Sequence, residues 1–212
     1  MNVFLDGERV PGSHADLASA MSASRSIAEA RGRILIEVKG DGKAIPDAIL
    51  ESPDAAVGKA YAEIHFQTAE PRQLVRNTIL GAVDLLEDIR AGQAAAAESF
   101  QTGETGQAFE HLQGVLTNWQ IVQSVVSNGT NLLNMSLTDP ATGGGTSFDK
   151  LGSALSKELS AVRTSLAAQD HAAVADSLAY DLTKHVDSWS GALKAMASKI
   201  ETLPAWKAPK ES

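Results

Sequence analysis

A long periodic segment from Gln107 to Leu137 constrains the fold of this chain more than any other feature. Its apolar residues recur mostly three or four positions apart: Phe109, Leu112, Val115, Leu116, Trp119, Val122, Val126, Leu132, Leu133 and Met135. This spacing places them on one side of an α-helix. A helix with so broad an apolar side is not stable alone in water, so it needs partners on more than one flank.

Three further amphipathic segments supply these partners. The first covers Pro71–Arg90, and an alanine-rich link separates it from the long periodic segment. The second opens at Ser147, and the third covers His171–Leu203. Apolar residues of the third segment follow a near-heptad spacing: Val174, Leu178, Leu182, Val186, Trp189, Leu193, Met196 and Ile200. Four amphipathic helices with short links predict an antiparallel four-helix bundle over residues 68–203.

The first residues of the chain predict a hairpin and a helix. Asp6-Gly7 lies between the two short predicted strands Val3–Leu5 and Glu8–Val10. It is a strong signal for a two-residue hairpin turn within residues 1–10. Ser13, with Asp16 three residues later, resembles a capping box that opens a helix. The helix is expected to continue to about Arg31, because Gly32 is a natural stop.

Two further strands follow this helix. Arg33–Val38 is rich in β-branched and apolar residues and is followed by Gly40-Asp41-Gly42. Tyr61–Gln67 alternates, with Ile64 and Phe66 on its apolar face. Together these elements predict a small β-grasp-like domain over residues 1–67, in which one helix crosses a sheet. The predicted fold class is therefore α+β, with residues 204–212 as a flexible tail.

Charge and composition narrow the possible partners. The net charge is −8 and the basic residues do not cluster, so the field that would attract nucleic acid is missing. The chain has no cysteine, which excludes disulfides and thiolate chemistry. Neither a signal peptide nor a membrane span is visible. We expect a cytoplasmic protein that binds neither nucleic acid nor membranes.

Two glycine-rich segments look like ligand loops at first sight. In Glu37–Ala44 a Gly-Lys pair follows a strand, but a phosphate-binding loop needs glycine at position 37 and serine or threonine at position 44. We predict a plain turn there. Gly143-Gly144-Gly145 has no adjacent Gly-Lys-Ser, so the segment that starts at Asp139 is predicted to be a flexible link.

Polar pairs on the helices have some of the residue types that catalytic and metal sites need. Asp181, His185 and Ser188 lie within two helical turns of each other, yet no oxyanion hole accompanies them. Glu87-Asp88 and Glu110-His111 lack the Glu-x-x-His spacing of di-metal bundles. No two of the five histidines have the close pairing of a zinc-binding helix motif. The sequence thus predicts no catalytic residue, no metal ligand and no cofactor, and a protein that is not an enzyme.

The three tryptophans have different expected places. Trp119 and Trp189 are in phase with the apolar sides of their helices, so both are predicted to pack in the core. Trp206 follows the last helix, and it either covers the end of the bundle or is exposed.

One family resemblance adds to this interpretation. The segment Thr68-Ala69-Glu70-Pro71-Arg72-Gln73-Leu74-Val75, followed by Gly81-Ala82-Val83, resembles the first helix of the flagellar secretion chaperones. The stretch from Asp170 to Trp189 is similar to the last helix of that family. The resemblance covers about residues 68–200, and it implies a four-helix bundle that holds flagellin-like helical segments before export.

The resulting hypothesis is a protein-binding module whose bundle presents an apolar groove to a partner helix. The predicted partner-binding residues spread over more than one face of the first bundle helix: Leu74, Val75, Ile79, Val83 and Leu86. The alternative is a structural or regulatory adaptor that self-associates through the second and fourth helices of the bundle, for example as a homodimer. An enzyme with a polar pocket is a third class.

Overall fold

A computed structural model describes residues 1–50 and 61–208 of the chain. Its helices and strands confirm the α+β class. The chain divides into two compact units, the first comprising Met1–Leu74 and Pro204–Ser212, and the second Val75–Leu203. The sequence also predicts a loop that runs to Gly58, and residues 51–58 of this loop and the last four residues of the predicted tail lie outside the described residues.

The first unit contains a mixed sheet. Its strands, in the part of the chain that is described, are β1 (Asn2–Leu5), β2 (Glu8–Arg9), β3 (Ile34–Gly40), β4 (Lys43–Ala44) and β5 (Glu63–Ala69). The strand order is β2-β1-β5-β3-β4. Strands β1 and β5 run parallel, and the other pairs are antiparallel. The central strand β5 therefore joins the N-terminal hairpin to the hairpin of β3 and β4.

Both hairpins close through two residues with positive φ. Asp6 and Gly7 have φ angles of 50° and 84°, and Asp41 and Gly42 have 48° and 78°. Such pairs match the twist of the flanking strands, and Asp-Gly adopts them readily. The hairpin predicted at Asp6-Gly7 is confirmed. The segment before Ala44 is a hairpin turn as well, which confirms the plain turn predicted there.

One helix covers one face of this sheet. Helix α1 (Leu17–Ala30) begins after Asp16, whose Oδ1 accepts the Ser19 N–H at 2.8 Å. The predicted cap at Ser13 was therefore wrong by one helical turn, because the reciprocal box forms between Asp16 and Ser19. The short helix α2 (Asp47–Leu50) follows β4. The core between α1 and the sheet consists of Val3, Leu5, Val10, Leu17, Ala20, Val38, Ile45, Ile64 and Phe66.

The second unit is helical. Its helices are α3 (Pro71–Thr102, which begins in the first unit), α4 (Thr105–Leu132), α5 (Phe148–Ala167), α6 (His171–Asp176) and α7 (Leu182–Thr202). Helix α3 extends beyond the predicted end at Arg90, because alanine favours helix and Phe100 is buried in the core. Helix α4 ends before the predicted Leu137, since Asn134 has a φ of 51°.

Helices α3 and α4 run antiparallel and approach closely at two glycines. A Cβ on Gly92 would lie 2.8 Å from Val115 Cγ2, and a Cβ on Gly129 would lie 2.8 Å from Val75 Cγ1. Both distances are shorter than side chains tolerate, so the helices need glycine at these crossings. The two contacts join the start of α3 to the end of α4, as in a helical hairpin.

The core of the second unit has the predicted tryptophans near its centre. Trp119 is 1% exposed and Trp189 is 2% exposed, and their rings meet edge to face at 5.7 Å. The Phe148 ring lies 5.7 Å from Trp189. This geometry suits aromatic quadrupoles. The prediction that both tryptophans pack in the core is confirmed.

A π-helical turn, Ser177–Asp181, joins α6 to α7 in one continuous helix. Val174, Leu178, Leu182 and Val186 follow one another at intervals of four residues, and all four are completely buried. In a regular α-helix, steps of four residues drift around the axis by about 40° each, given about 3.6 residues per turn. The wider turn at Ser177–Asp181 absorbs part of this drift and keeps the four side chains on the core side.

The glycine-rich segment after α4 is a packed turn. It forms a 3₁₀ turn (Pro140–Gly143), and Gly144 has a φ of 66°. A Cβ on Gly144 would lie 2.6 Å from the Ala195 Cβ on α7. Lys199 Nζ also donates to Asp139 Oδ2 at 3.2 Å. The flexible link predicted here was wrong, because these glycines provide close approach and positive φ rather than freedom.

Candidate functional site

The predicted partner-binding residues on α3 do not share one surface. Val75, Ile79 and Leu86 are 5%, 0% and 0% exposed, and they belong to the core of the second unit. Leu74 and Val83 are half-buried. The apolar side of α3 is broad because this helix packs against other helices of its own unit. In this conformation three of the five residues are inaccessible to a partner.

The polar trio near the π turn is divided between other contacts. Asp181 accepts a hydrogen bond from Lys184 Nζ at 2.8 Å, and Ser188 Oγ donates to the Lys184 carbonyl at 2.9 Å. Within the described chain, His185 has no hydrogen bond to either residue. The trio is not assembled in the way that a nucleophile and its base require.

The acidic pairs on α3 and α4 also lie in ordinary surroundings. Glu87 contacts Arg90 at 3.3 Å, and Arg90 also bonds to Asp187 on α7. The hydrogen bond to Asp187 has the largest effect on the pKa of Arg90 and raises it. Partial desolvation acts to lower this pKa, but the hydrogen bond and the nearby charges of Asp187 and Glu87 outweigh it. Among the described residues, no three histidine or acidic side chains come together as a possible metal site.

Two apolar side chains on α4 face solvent although the sequence pattern placed them in the core. Phe109 is 48% exposed and Leu116 is 38% exposed. Phe109, Leu116 and Gln123 are spaced by seven residues, which is close to two helical turns, so they lie along one line of α4. Periodicity missed their exposure because they flank the buried stripe instead of lying within it.

This line leads to a cleft between α4 and α5. The cleft has a volume of about 320 Å³ and is lined by Gln123, Ser124, Val126, Ser127, Leu137, Phe148, Asp149, Gly152 and Trp189. Trp189, Phe148, Val126 and Leu137 supply apolar lining, while serine, glutamine and aspartate add polar groups. A concave apolar site with a few polar groups is the usual form of a binding pocket.

A nearly flat face of α5, called the trough below, continues from the cleft. Small side chains and two charged ones line it: Asp149, Gly152, Ser153, Ser156, Lys157, Ser160, Ala161 and Thr164. At about 1.5 Å per residue the trough is about 22 Å long. In the described chain, the side chains of Asp149 and Lys157 have neither an ion pair nor a hydrogen bond. They remain available to charged groups of a ligand.

The exposed end of the α4 line is part of an aromatic cluster. The rings of Phe100 and Phe109 meet edge to face at 5.6 Å, and the His171 ring lies 5.3 Å from Phe100. Phe100 is 4% exposed and anchors the cluster in the core. Phe109 is thus held in place by packing while nearly half of its surface stays open, which limits the entropy lost on binding.

The titratable groups with the richest contacts in the first unit have a structural role. The carboxylate of Asp6 accepts hydrogen bonds from the Thr68 hydroxyl and, at 2.8 Å, from the Thr68 N–H. Arg33 donates to the Thr68 hydroxyl and carbonyl. Partial burial acts to raise the pKa of Asp6, but the two Thr68 hydrogen bonds, Arg33 and Arg31 outweigh it and lower that pKa.

In the described residues, no helix has the length and apolarity that a bilayer crossing demands.

A family model described as a domain of unknown function, DUF8042, matches residues 77–192. No curated protein and no solved structure matches the chain. The matched residues run from α3 to α7 and include the cleft, the trough and the exposed line of α4. Because the match covers more than half of the chain, this protein belongs to the DUF8042 family.

Proposed function

We propose that this protein is a non-enzymatic, cytoplasmic protein-binding module that holds a helix of a partner protein against α4 and α5. The second unit acts as an antiparallel four-helix bundle, and the first as a β-grasp-like accessory domain. The mode of action is that of the flagellar export chaperones, which the sequence resembles. The partner is then a flagellin-like helical segment, and no cofactor takes part.

The observation that carries this proposal is the exposed line of Phe109 and Leu116 beside the cleft. Large apolar side chains that are held open on a helix lose water on binding and often dominate an interface. Trp189 and Phe148 line a cleft at the end of this line that can receive one apolar side chain of the partner. An amphipathic helix presents such anchors at intervals of three, four and seven residues.

The trough beside α5 is the surface on which the body of the partner helix lies. Its glycine, alanine and serine residues allow the two helix backbones to approach each other. A helix of about 15 residues spans the length of about 22 Å. This surface takes the place of the predicted groove on α3, where Val75, Ile79 and Leu86 are buried and would be reached only after the unit opens.

Capture from native cytosol with matched variants tests the proposal. The tagged wild-type chain is compared with a Phe109→Glu/Leu116→Glu double variant and with Ile121→Glu, which alters another exposed apolar residue of α4. We expect the wild type and Ile121→Glu to retain the same protein, and the double variant to lose it by at least about tenfold. A peptide from the retained protein should gain helical circular dichroism on binding. Equal retention by the double variant, or no retained protein, contradicts the proposal.

Self-association is the second candidate, and two exposed side chains favour it. Ile121 on α4 is 45% exposed and Tyr180 in the π turn is 66% exposed. Both belong to the helices that the sequence pattern suggested for a homodimer. The near-heptad line of α6 and α7 is buried within its own unit and does not contribute. Sedimentation at micromolar concentration distinguishes the candidates, because a clean monomer removes this one.

A further inference from the structure

The first unit has a sheet edge that is only partly covered. Strand β3 has seven residues, but β4 pairs with only two of them, Lys39 and Gly40. Beyond that pair, the Val38 carbonyl accepts the Ile45 N–H at 2.9 Å. Within residues 1–50 and 61–208, Ile34–Glu37 has β5 on one side and no strand on the other. An edge of this kind carries backbone groups that can pair with another chain.

A β-bulge marks the uncovered part of this edge. The register with β5 shifts between Leu35 and Glu37, so Ile36 is the extra residue. Ile36 is 49% exposed, and among the described residues of the first unit it is the one large apolar residue that is exposed. Soluble proteins usually protect an open edge with lysine, proline, a charge that points inward or a bulge, and of these devices the bulge is present at Ile36. An exposed isoleucine on an open edge instead favours contact with a partner.

A groove of about 640 Å³ runs beside this edge toward α1 and α2. Its apolar lining comes from Met21, Leu35, Val38, Ile45 and Leu50. Strand addition uses such a groove, because side chains of an added strand point alternately toward it and away from it. The backbone groups of Ile34–Glu37 that have no strand partner among the described residues select an extended occupant, since a helix has already used its own backbone groups.

The charged residues that line the groove indicate which charge the bound segment should carry. Arg25 lines the groove, and within the described residues its guanidinium has neither an ion pair nor a hydrogen bond. Glu37 is already paired with Lys39 at 2.9 Å. Asp47 lies in the first turn of the four-residue helix α2 and is a second carboxylate in the groove lining. Arg25 is therefore the charge best placed to take a carboxylate from a ligand.

We infer that the open edge of β3 binds an extended segment of a partner protein as an added strand. The apolar side chains on one face of that segment enter the groove, and an acidic residue pairs with Arg25. This surface belongs to the first unit and does not depend on the helix-binding role of the second. The two surfaces take different secondary structures, so one partner segment cannot serve both.

A displayed library of random nine-residue peptides, selected on the full-length chain, tests the inference. An enriched peptide is synthesised with a fluorophore and titrated against the wild type, Ile36→Lys, Arg25→Glu and Ile121→Lys. The matched control Ile121→Lys makes the same change at a residue of similar exposure on α4. Circular dichroism verifies that each variant is folded. Amide exchange on the wild type is measured with and without peptide, so the test does not rely on the variants alone.

The expected result has three parts. Ile36→Lys weakens the peptide by about tenfold or more, while Ile121→Lys leaves the affinity unchanged. Arg25→Glu weakens it as well, and exchanging the acidic residue of the peptide for lysine restores binding to that variant. Bound peptide slows amide exchange in Ile34–Glu37. The inference is overturned if no peptide is enriched, if Ile36→Lys binds equally well, or if exchange at this edge does not change.

Discussion

Each of the two compact units is stabilised internally by a different kind of interaction. In the first unit, the buried Thr68 receives hydrogen bonds from the Arg33 side chain and donates to Asp6, so that one polar network joins three strands or their ends. In the second unit the centre is apolar, with the Trp119 and Trp189 rings in contact. A small sheet has a small core and relies on directed hydrogen bonds, whereas the long helices rely on buried area.

The ion pairs of the second unit lie at its surface. Arg90 and Asp187 link α3 to α7, but their side chains are 35% and 67% exposed. Arg76 and Glu201, which link the same helices, are 35% and 56% exposed. Exposed pairs contribute little because water and salt screen them. The difference between the units therefore predicts where a substitution is most costly.

The largest effect is expected at the centre of the helical unit. Trp119→Ala removes a side chain that is 1% exposed and leaves a cavity, so the free energy of unfolding should fall by about 3–5 kcal/mol. Denaturant unfolding followed by helical circular dichroism measures this change. Ile121→Ala, on the exposed side of α4, serves as control and should stay within about 0.5 kcal/mol of the wild type. A loss below 1 kcal/mol for Trp119→Ala would show that the aromatic centre is not the main support.

The next effect concerns close packing at a glycine. Gly144→Ala places a Cβ only 2.6 Å from the Ala195 Cβ at a position with positive φ, and we expect a loss of about 1–3 kcal/mol. Gly114→Ala is the matched control, because that glycine lies in α4 with no neighbouring atom within 4 Å. The control should gain up to about 1 kcal/mol, since alanine favours helix. Thermal unfolding of both variants decides whether the turn is packed or is a free link.

A third prediction addresses the polar network. Asp6→Ala leaves the Thr68 N–H without its acceptor, and we expect the first unit to lose about 1–3 kcal/mol. Amide exchange resolved by residue should locate the loss in β1 and β5 and leave the helical amides unchanged. Faster exchange throughout the chain would mean that the two units do not unfold separately.

The same network predicts a dependence on pH. The pKa of Asp6 is lowered on folding, so its carboxylate stabilises the first unit above the ordinary aspartate pKa of about 3.9. This contribution is lost as the pH falls below that value and through the lowered pKa. Asp6→Asn removes the titration and keeps an oxygen acceptor, so its stability in acid should fall less steeply. Parallel acid curves for the variant and the wild type would assign the acid loss to other carboxylates.

The smallest effect is expected at the surface of the helical unit. Arg90→Ala removes contacts to Glu87 and Asp187, and it should cost about 1 kcal/mol or less. Part of this loss should disappear in high salt, because salt screens exposed charges. Denaturant unfolding at two salt concentrations provides the measurement. A loss as large as that of Trp119→Ala would break the distinction between the two units.

Much of the local structure follows from the sequence because its causes are local. Asp6-Gly7 predicts its turn by backbone preference alone, and the Ser147 Oγ accepts the Lys150 N–H as its cap position implies. The spacing of Val174 to Ile200 predicts the buried line of the last helix correctly. Such signals depend on neighbours in the chain and are therefore visible without the fold.

The remaining features depend on residues that are distant in the chain. Gly144 resembles a link residue until Ala195 is found beside it. Phe109 has the same spacing as core residues, and only the positions of the other helices show that it is half open. The candidate site could not be predicted for the same reason, because its cleft combines α4, α5 and Trp189. Periodicity identifies a helical side but not the element that covers it.

The π turn at Ser177–Asp181 has a consequence for how the length of this helix can vary. A π turn accommodates one more residue than an α-helical turn would, so it is equivalent to a single-residue insertion. Related chains that lack one residue in this segment could form an uninterrupted α-helix and still direct Val174 and Ile200 to the same core. An alignment gap of one residue there would then record a change of helix type, with no loss of the fold.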